Sequence, residues 1–262
     1  MDNNHILTEI REDGVATVTL NRAEVHNAFN DTVIADLTGT LRRLGDDDKV
    51  RAVVLRAEGK SFSAGADLGW MQRMANYGHA ENLADAGALA ELMRVLNFLP
   101  KPTVARVQGA AFGGVGLVAC CDIAIASDAA SFSLSEVRLG LIPAVISPYV
   151  VAAIGERAVR RYFLTAERFG ADEALRIGLV HQVVPADQLD SAVDTILIRL
   201  SEGGPAAQRA AKDLIFAVAH RPINADLIHD TAERIATIRA SAEGREGLAG
   251  FLEKRKPAWS VR

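Results

Sequence analysis

The chain has 262 residues, 49% of them hydrophobic and 24% charged, with a formal net charge of −4. This composition supports a substantial core and excludes disordered and fibrous classes; the acidic balance gives no overall basic footprint, so no nucleic-acid partner is expected. No run reaches the roughly 18 apolar residues that a membrane helix requires, and Met1-Asp2-Asn3-Asn4-His5 lacks a signal peptide's apolar segment. A cytoplasmic protein, off the membrane, is the expectation.

In chain order, Ile6 to Ile10 and Val15 to Leu20 alternate around Asp13-Gly14 and predict a hairpin. Asn30-Asp31 can cap a helix running to Leu44, and Asp46-Asp47-Asp48 then makes a solvated turn. The short β-branched runs near 52–55, 103–107 and 123–126 alternate with helical stretches, the pattern of parallel strands joined by crossovers. That predicts an α/β fold. Cys120 and Cys121 are neighbours on an apolar helix, where they fill core and cannot form a disulfide framework. Beyond Pro185 the pattern turns helical, with helices at Ala206 to Ala219 and Ile223 to Ala242. His5, His79, His181, His220 and His229 have no ligand spacing with supporting acids, so no metal site is expected.

Three features carry chemistry. Ser61 to Leu68 follows the apolar run Val50 to Leu55, and Gln108 to Gly114 follows Pro102 to Val107. Both read as strand, glycine-bearing turn, then helix or loop, a geometry that leaves backbone N–H groups free to bind an oxyanion; an ordinary tight turn is the bland reading of either alone. The third is Glu136, a carboxylate in the otherwise apolar segment 131–143. Apolar surroundings raise a carboxyl pKa and suit it to proton transfer near neutrality, whereas an ion pair with Arg138 is the structural alternative.

Several blocks together resemble the enoyl-CoA hydratase/isomerase (crotonase) superfamily: Asn27 to Asn30, Phe62 to Leu68, Gly109 to Asp122, Ser135-Glu136 with Gly140 to Pro143, Leu164 to Ala166, Gly178 to Val180 and Phe251 to Pro257. Leu134 to Arg138, Ala144 to Val151 and Arg161 to Phe169 look most like methylglutaconyl-CoA and isohexenylglutaconyl-CoA hydratases. The resemblance implies a spiral of ββα units over residues 1–195 and a C-terminal helical trimerisation region over 196–262, giving a homotrimer or a hexamer of two trimers. It implies hydration of a 3-substituted, carboxylated enoyl-CoA in leucine or acyclic isoprenoid breakdown, with coenzyme A as part of the substrate and no separate cofactor.

By the same resemblance Glu136 is the acid/base, and Ala66 and Gly114 donate to the thioester oxygen. Ala64, Asp67, Leu68, Trp70 and Met71 are expected around the substrate, Trp70 and Met71 along the acyl chain with Met74 as a similar candidate; core of the helix after Leu68 is the other reading of these three apolar residues. Lys254 and Lys256 resemble a tail that reaches a neighbouring subunit's CoA; a solvated basic terminus is the other reading. Arg138, with Arg73 as a further candidate, is placed to meet a distal carboxylate; an exposed surface arginine is the other reading of each. Where the family often carries a phosphate-binding Lys in the first loop, this chain reads Ala23-Glu24-Val25-His26, leaving Arg22 or His26 for that contact.

The chain departs from the two-glutamate pattern at Gly113-Gly114-Val115-Gly116-Leu117, where Gly116 or Leu117 takes the partner acid's place. A missing side chain there is expected to leave room, and no repelling anion, beside the acyl chain. Alternatives to hydration are a single-acid isomerase or acyl-CoA hydrolase; from another class, a silent acyl-CoA-binding scaffold or an RNA-binding member of the same fold.

Overall fold

A computed structural model describes residues 4–260. Strands β1 (Ile6–Ile10) and β2 (Val15–Leu20) form the expected hairpin, antiparallel with Ile6 opposite Leu20. Helix α1 (Asp31–Asp46) begins where the Asn30 side chain accepts from the Val33 N–H, an N-cap that satisfies one of the helix's free donors. It continues past Leu44 to the first of the three aspartates.

The chain then runs through β3 (Ala52–Ala57), α2 (Leu68–Met74), α3 (His79–Asn97), β4 (Thr103–Val107), β5 (Ala110–Ala111) and α4 (Val115–Cys120). It continues through β6 (Ile123–Ser127), β7 (Ser131–Phe132), α5 (Ser147–Thr165), β8 (Phe169–Gly170), α6 (Ala171–Ile177) and β9 (Gln182–Val184). Strands β1-β2-β3-β4-β6-β9 form one sheet, parallel from β2 onward. A second, smaller sheet has the order β5-β7-β8. The chain therefore steps from the large sheet to the small one and back through a helix: β4-β5-α4, then β6-β7-α5. This is an α/β spiral of ββα units, as the resemblance implies.

The large sheet is covered on both faces. Val53 and Leu55 point to the larger core with Leu37, Leu41 and Leu96, while Val54 and Val104 meet Leu189, Val193 and Leu197 of α7 (Leu189–Glu202). Double coverage explains why these strands read as continuous apolar runs rather than alternating ones. The thiols of Cys120 and Cys121 are buried and free, and burial pushes Cys121 up to about 12.

Helix α7 carries the chain through residue 195 without a break and is followed by α8 (Pro205–Val218), α9 (Ala225–Ala240) and α10 (Ala242–Leu252). The single helix expected over 223–242 is shorter and ends at Ser241, whose hydroxyl accepts from the Gly244 N–H at 3.0 Å and starts α10. Its beginning is fixed by Asn224, which caps Leu227. Lys212 of α8 is buried and donates to Asp122 Oδ2 at 2.8 Å, an oxygen that also accepts from the Thr103 N–H at 2.8 Å. This pair ties the C-terminal helices to the spiral. Among the described residues no helix is long and apolar enough to cross a membrane.

Candidate active site

The small sheet is extended by two single parallel bridges, Ser63 with Ala111 and Phe29 with Ala66. Because β5 and β7 are also parallel, the segments through Ser63, Ala111 and Phe132 lie side by side and run the same way. The turns that leave these segments therefore emerge at one end of the sheet. That end receives Ala66, Gly114 and Glu136.

The first turn is held by Phe29, whose N–H donates to Gly65 O at 2.8 Å and whose carbonyl accepts from the Asp67 N–H at 2.7 Å. In a parallel bridge the intervening residue's own N–H faces away, so Ala66 points its donor out of the pairing. Gly65 reaches this path with φ of 127°, a backbone region open to glycine. The second turn follows the Phe112 N–H, which donates to Ser63 O at 2.9 Å. Gly113 lies hard against the first turn: a Cβ placed on it would sit 2.2 Å from Gly65 Cα. Among the described residues the N–H groups of Ala66, Gly113 and Gly114 donate to no protein acceptor. Two adjoining turns thus present free donors at one place, the requirement for holding an oxyanion. Helix α4 after Gly114 has only six residues, so its dipole adds little to those donors.

Glu136 opens a 3-10 turn, Glu136–Leu139, closed by the Leu141 N–H donating to Glu136 O at 3.0 Å. The side chain is half-buried, and its Oε2 atom is enclosed without a hydrogen-bond partner among the described residues. Burial raises its pKa above the ordinary glutamate value. No ion pair joins it to Arg138, which is exposed. Leu139, Leu141 and Ile142, which follow it in the chain, are exposed apolar side chains, as is Leu68 after the first glycine turn. A proton-accepting carboxyl beside free backbone donors can take a proton from a nucleophile while negative charge grows on a bound oxygen.

Other expected substrate contacts have structural occupations. Asp67 pairs with Arg22 at 2.9 Å and caps α2 by accepting from the Gly69 and Trp70 N–H groups. The Arg22 guanidinium also donates to Ala28 O at 2.8 Å, so two of its nitrogens are engaged within the protein. Trp70 is core, 5% exposed, with Nε1 donating to Asp85 Oδ1 at 2.9 Å. Met71 is half-buried, Met74 packs against the core, and Ala64 is exposed with its N–H given to His26 O. The His26 ring meets Ser61 Oγ at 3.2 Å. Arg73 is paired with Asp31 at 2.7 Å, leaving Arg138 as the freer of the two candidate cations. Lys254 and Lys256 are exposed, whereas Arg255 between them is bound to Glu246 and Glu253. Among the described residues no three His, Cys, Asp or Glu side chains gather as a metal site.

The largest difference from expectation concerns Gly116. A Cβ there would lie 2.4 Å from Ile146 Cγ2 and 3.1 Å from Met93 Sδ. The space a side chain at Gly116 would take is filled by core, and Leu117, the other candidate position, is itself fully buried. Ile146, at the entry to α5, and Met93 carry no signal in the sequence, since only the pairing of α4 with α3 and α5 brings them there. Arg168 is likewise silent in the sequence; its guanidinium stacks over the Phe112 ring at 4.6 Å.

The model of the enoyl-CoA hydratase/isomerase family matches residues 10–262. The chain is 46% identical to an enoyl-CoA hydratase of known structure from Shewanella pealeana, with a TM-score of 0.94 over 97% of this chain and 96% of that one. It is 33% identical to the crotonyl-CoA hydratase of Syntrophomonas wolfei, over 94% of each chain. It is also 33% identical to the short-chain-enoyl-CoA hydratase of Clostridium acetobutylicum, over 98% of this chain and 97% of that one.

Proposed function

The chain belongs to the enoyl-CoA hydratase/isomerase family and is an enzyme of the hydratase type, and from that premise we propose that it hydrates a 3-substituted, carboxylated 2-enoyl-CoA of the methylglutaconyl or isohexenylglutaconyl type. The observation that carries the reading is the enclosed Oε2 of Glu136, without a hydrogen-bond partner among the described residues, on the segment that leaves the small sheet at the same end as the two glycine turns. Ionised Glu136 takes a proton from water as the water oxygen attacks C3. The electron pair of the double bond moves into the thioester, and the oxyanion is held by the N–H groups of Ala66 and Gly114. Glu136 then returns its proton to C2, which consumes one water and restores the carboxylate. Nothing but coenzyme A within the substrate is needed.

A carboxylated substrate is favoured because α4 contributes no second anion to the site and because Arg138 stands exposed beside Glu136 without an acidic partner among the described residues. In this reading the reaction serves leucine or acyclic isoprenoid catabolism. The exposed Ile228, Ile235, Leu248, Phe251 and Leu252 of α9 and α10 would be covered in a trimer or hexamer, bringing Lys254 and Lys256 toward a neighbour's CoA.

The deciding experiment offers methylglutaconyl-, isohexenylglutaconyl- and crotonyl-CoA in turn and follows absorbance of the conjugated thioester. Faster loss with a glutaconyl ester supports the assignment; fastest turnover of crotonyl-CoA defeats it. A one-carboxyl site also suits an isomerase, which moves a single proton, and formation of conjugation from a 3-enoyl ester would favour that second reading.

A further inference from the structure

Helices α5 and α6 line a groove of about 640 Å³ along the stretch of α5 from Ile154, just before its kink at Gly155, to Tyr162. Its floor is apolar, made by Ile154, Ala158 and Ile177 with the buried ring of Tyr162. Its rim carries four guanidinium groups, Arg157, Arg160 and Arg161 from α5 and Arg176 from α6. The first three fall at i, i+3 and i+4, which places them on one helix face.

Two of the four charges are compensated. Arg161 pairs with Glu167. Arg176 binds Glu173 through Nε at 2.5 Å and Nη2 at 2.6 Å, and the Tyr162 hydroxyl donates to the same carboxylate. Those donors, Arg176 first, hold the Glu173 carboxyl down at about 2, so it stays ionised and fully engaged. Arg157 and Arg160 have no carboxylate within ion-pairing distance among the described residues. Glu156 and Asp172 adjoin the groove in sequence but do not line it. The groove therefore holds two unbalanced positive charges in a chain whose net charge is −4.

We propose that this groove binds an organic phosphate monoester, with the phosphate between Arg157 and Arg160 and the carbon skeleton on the apolar floor. A phosphomonoester carries nearly two negative charges at neutral pH and matches the forked donors of guanidinium groups. The apolar floor selects an ester over bare phosphate. The groove is built by α5 and α6 alone and shares no residue with the Glu136 site, so the assignment does not depend on the substrate proposed above.

The test is calorimetric titration of the full chain at constant ionic strength with AMP, inorganic phosphate and adenosine. AMP binds saturably at one per chain, inorganic phosphate more weakly and adenosine not at all. The double variant Arg157→Gln/Arg160→Gln loses at least about 10-fold in AMP affinity, the scale of one charge-assisted hydrogen bond. No saturable AMP binding, equal binding of adenosine, inorganic phosphate as tight as AMP, or unchanged affinity in the variant each overturns the proposal. Hydrogen exchange of the wild-type protein needs no variant: AMP slows exchange within residues 154–177, and its failure to do so is equally decisive.

Discussion

Gly113 and Gly65 touch through their backbones, so closely that any side chain on Gly113 would begin 2.2 Å from Gly65 Cα. The contact joins two turns that are far apart in sequence and sets the spacing of the donors on Ala66 and Gly114. Gly113→Ala must push the turns apart. We expect turnover to fall by about 10²–10³-fold, the cost of losing one oxyanion donor, while circular dichroism shows the fold retained. Wild-type turnover in this variant would remove the paired turns from the mechanism.

Glu136→Gln keeps the shape of the side chain but cannot accept a proton. Turnover is expected to drop by at least about 10²-fold, the usual scale for a general acid–base group, with little change in binding of a CoA ester. Activity close to wild type would mean that another group moves the proton.

The buried carboxyl also makes stability and rate depend on pH in opposite senses. Burial raises the folded pKa of Glu136, so the folded state holds its proton over a pH range where the unfolded chain has released it. The wild-type protein thus loses stability as pH rises from the unfolded glutamate value through the raised folded one. Glu136→Gln should melt higher than wild type at neutral pH and at the same temperature once both states are protonated. Hydration, which needs the ionised form, should rise across the same window in a rate profile. A melting difference independent of pH would refute this account.

Gly116→Glu tests whether the second acid is merely missing or physically shut out. Its Cβ would lie 2.4 Å from Ile146 Cγ2, so the substitution overpacks the contact between α4 and α5. A destabilisation of about 1–3 kcal/mol is expected from overpacking alone, with no recovery of activity when combined with Glu136→Gln. Denaturant melts and turnover of the double variant report both effects, and restored hydration would show that the position opens onto the substrate.

Arg138→Gln addresses substrate charge. Loss of a hydrogen bond to a charged group should weaken KM for a glutaconyl ester by about 1.5–3 kcal/mol, while crotonyl-CoA, which has no distal carboxylate, is almost unaffected. Equal losses on both esters would make Arg138 structural.

What depends on near neighbours along the chain was legible in the residues alone. Short β-branched runs predicted parallel strands joined by crossovers, Asn30 announced the start of α1, and the ordered blocks from Asn27 to Pro257 together pointed to the family. Which side chains those elements meet is set by the folded packing. It gave Asp67 to Arg22, placed Trp70 in the core against Asp85, paired Arg73 with Asp31, and filled the space beside Gly116 with Ile146 and Met93. It also gathered the arginines of α5 and α6 around one groove. The physical reason is the same throughout: backbone preference and periodicity act within a few residues, whereas close packing and charge pairing join groups that the sequence keeps far apart.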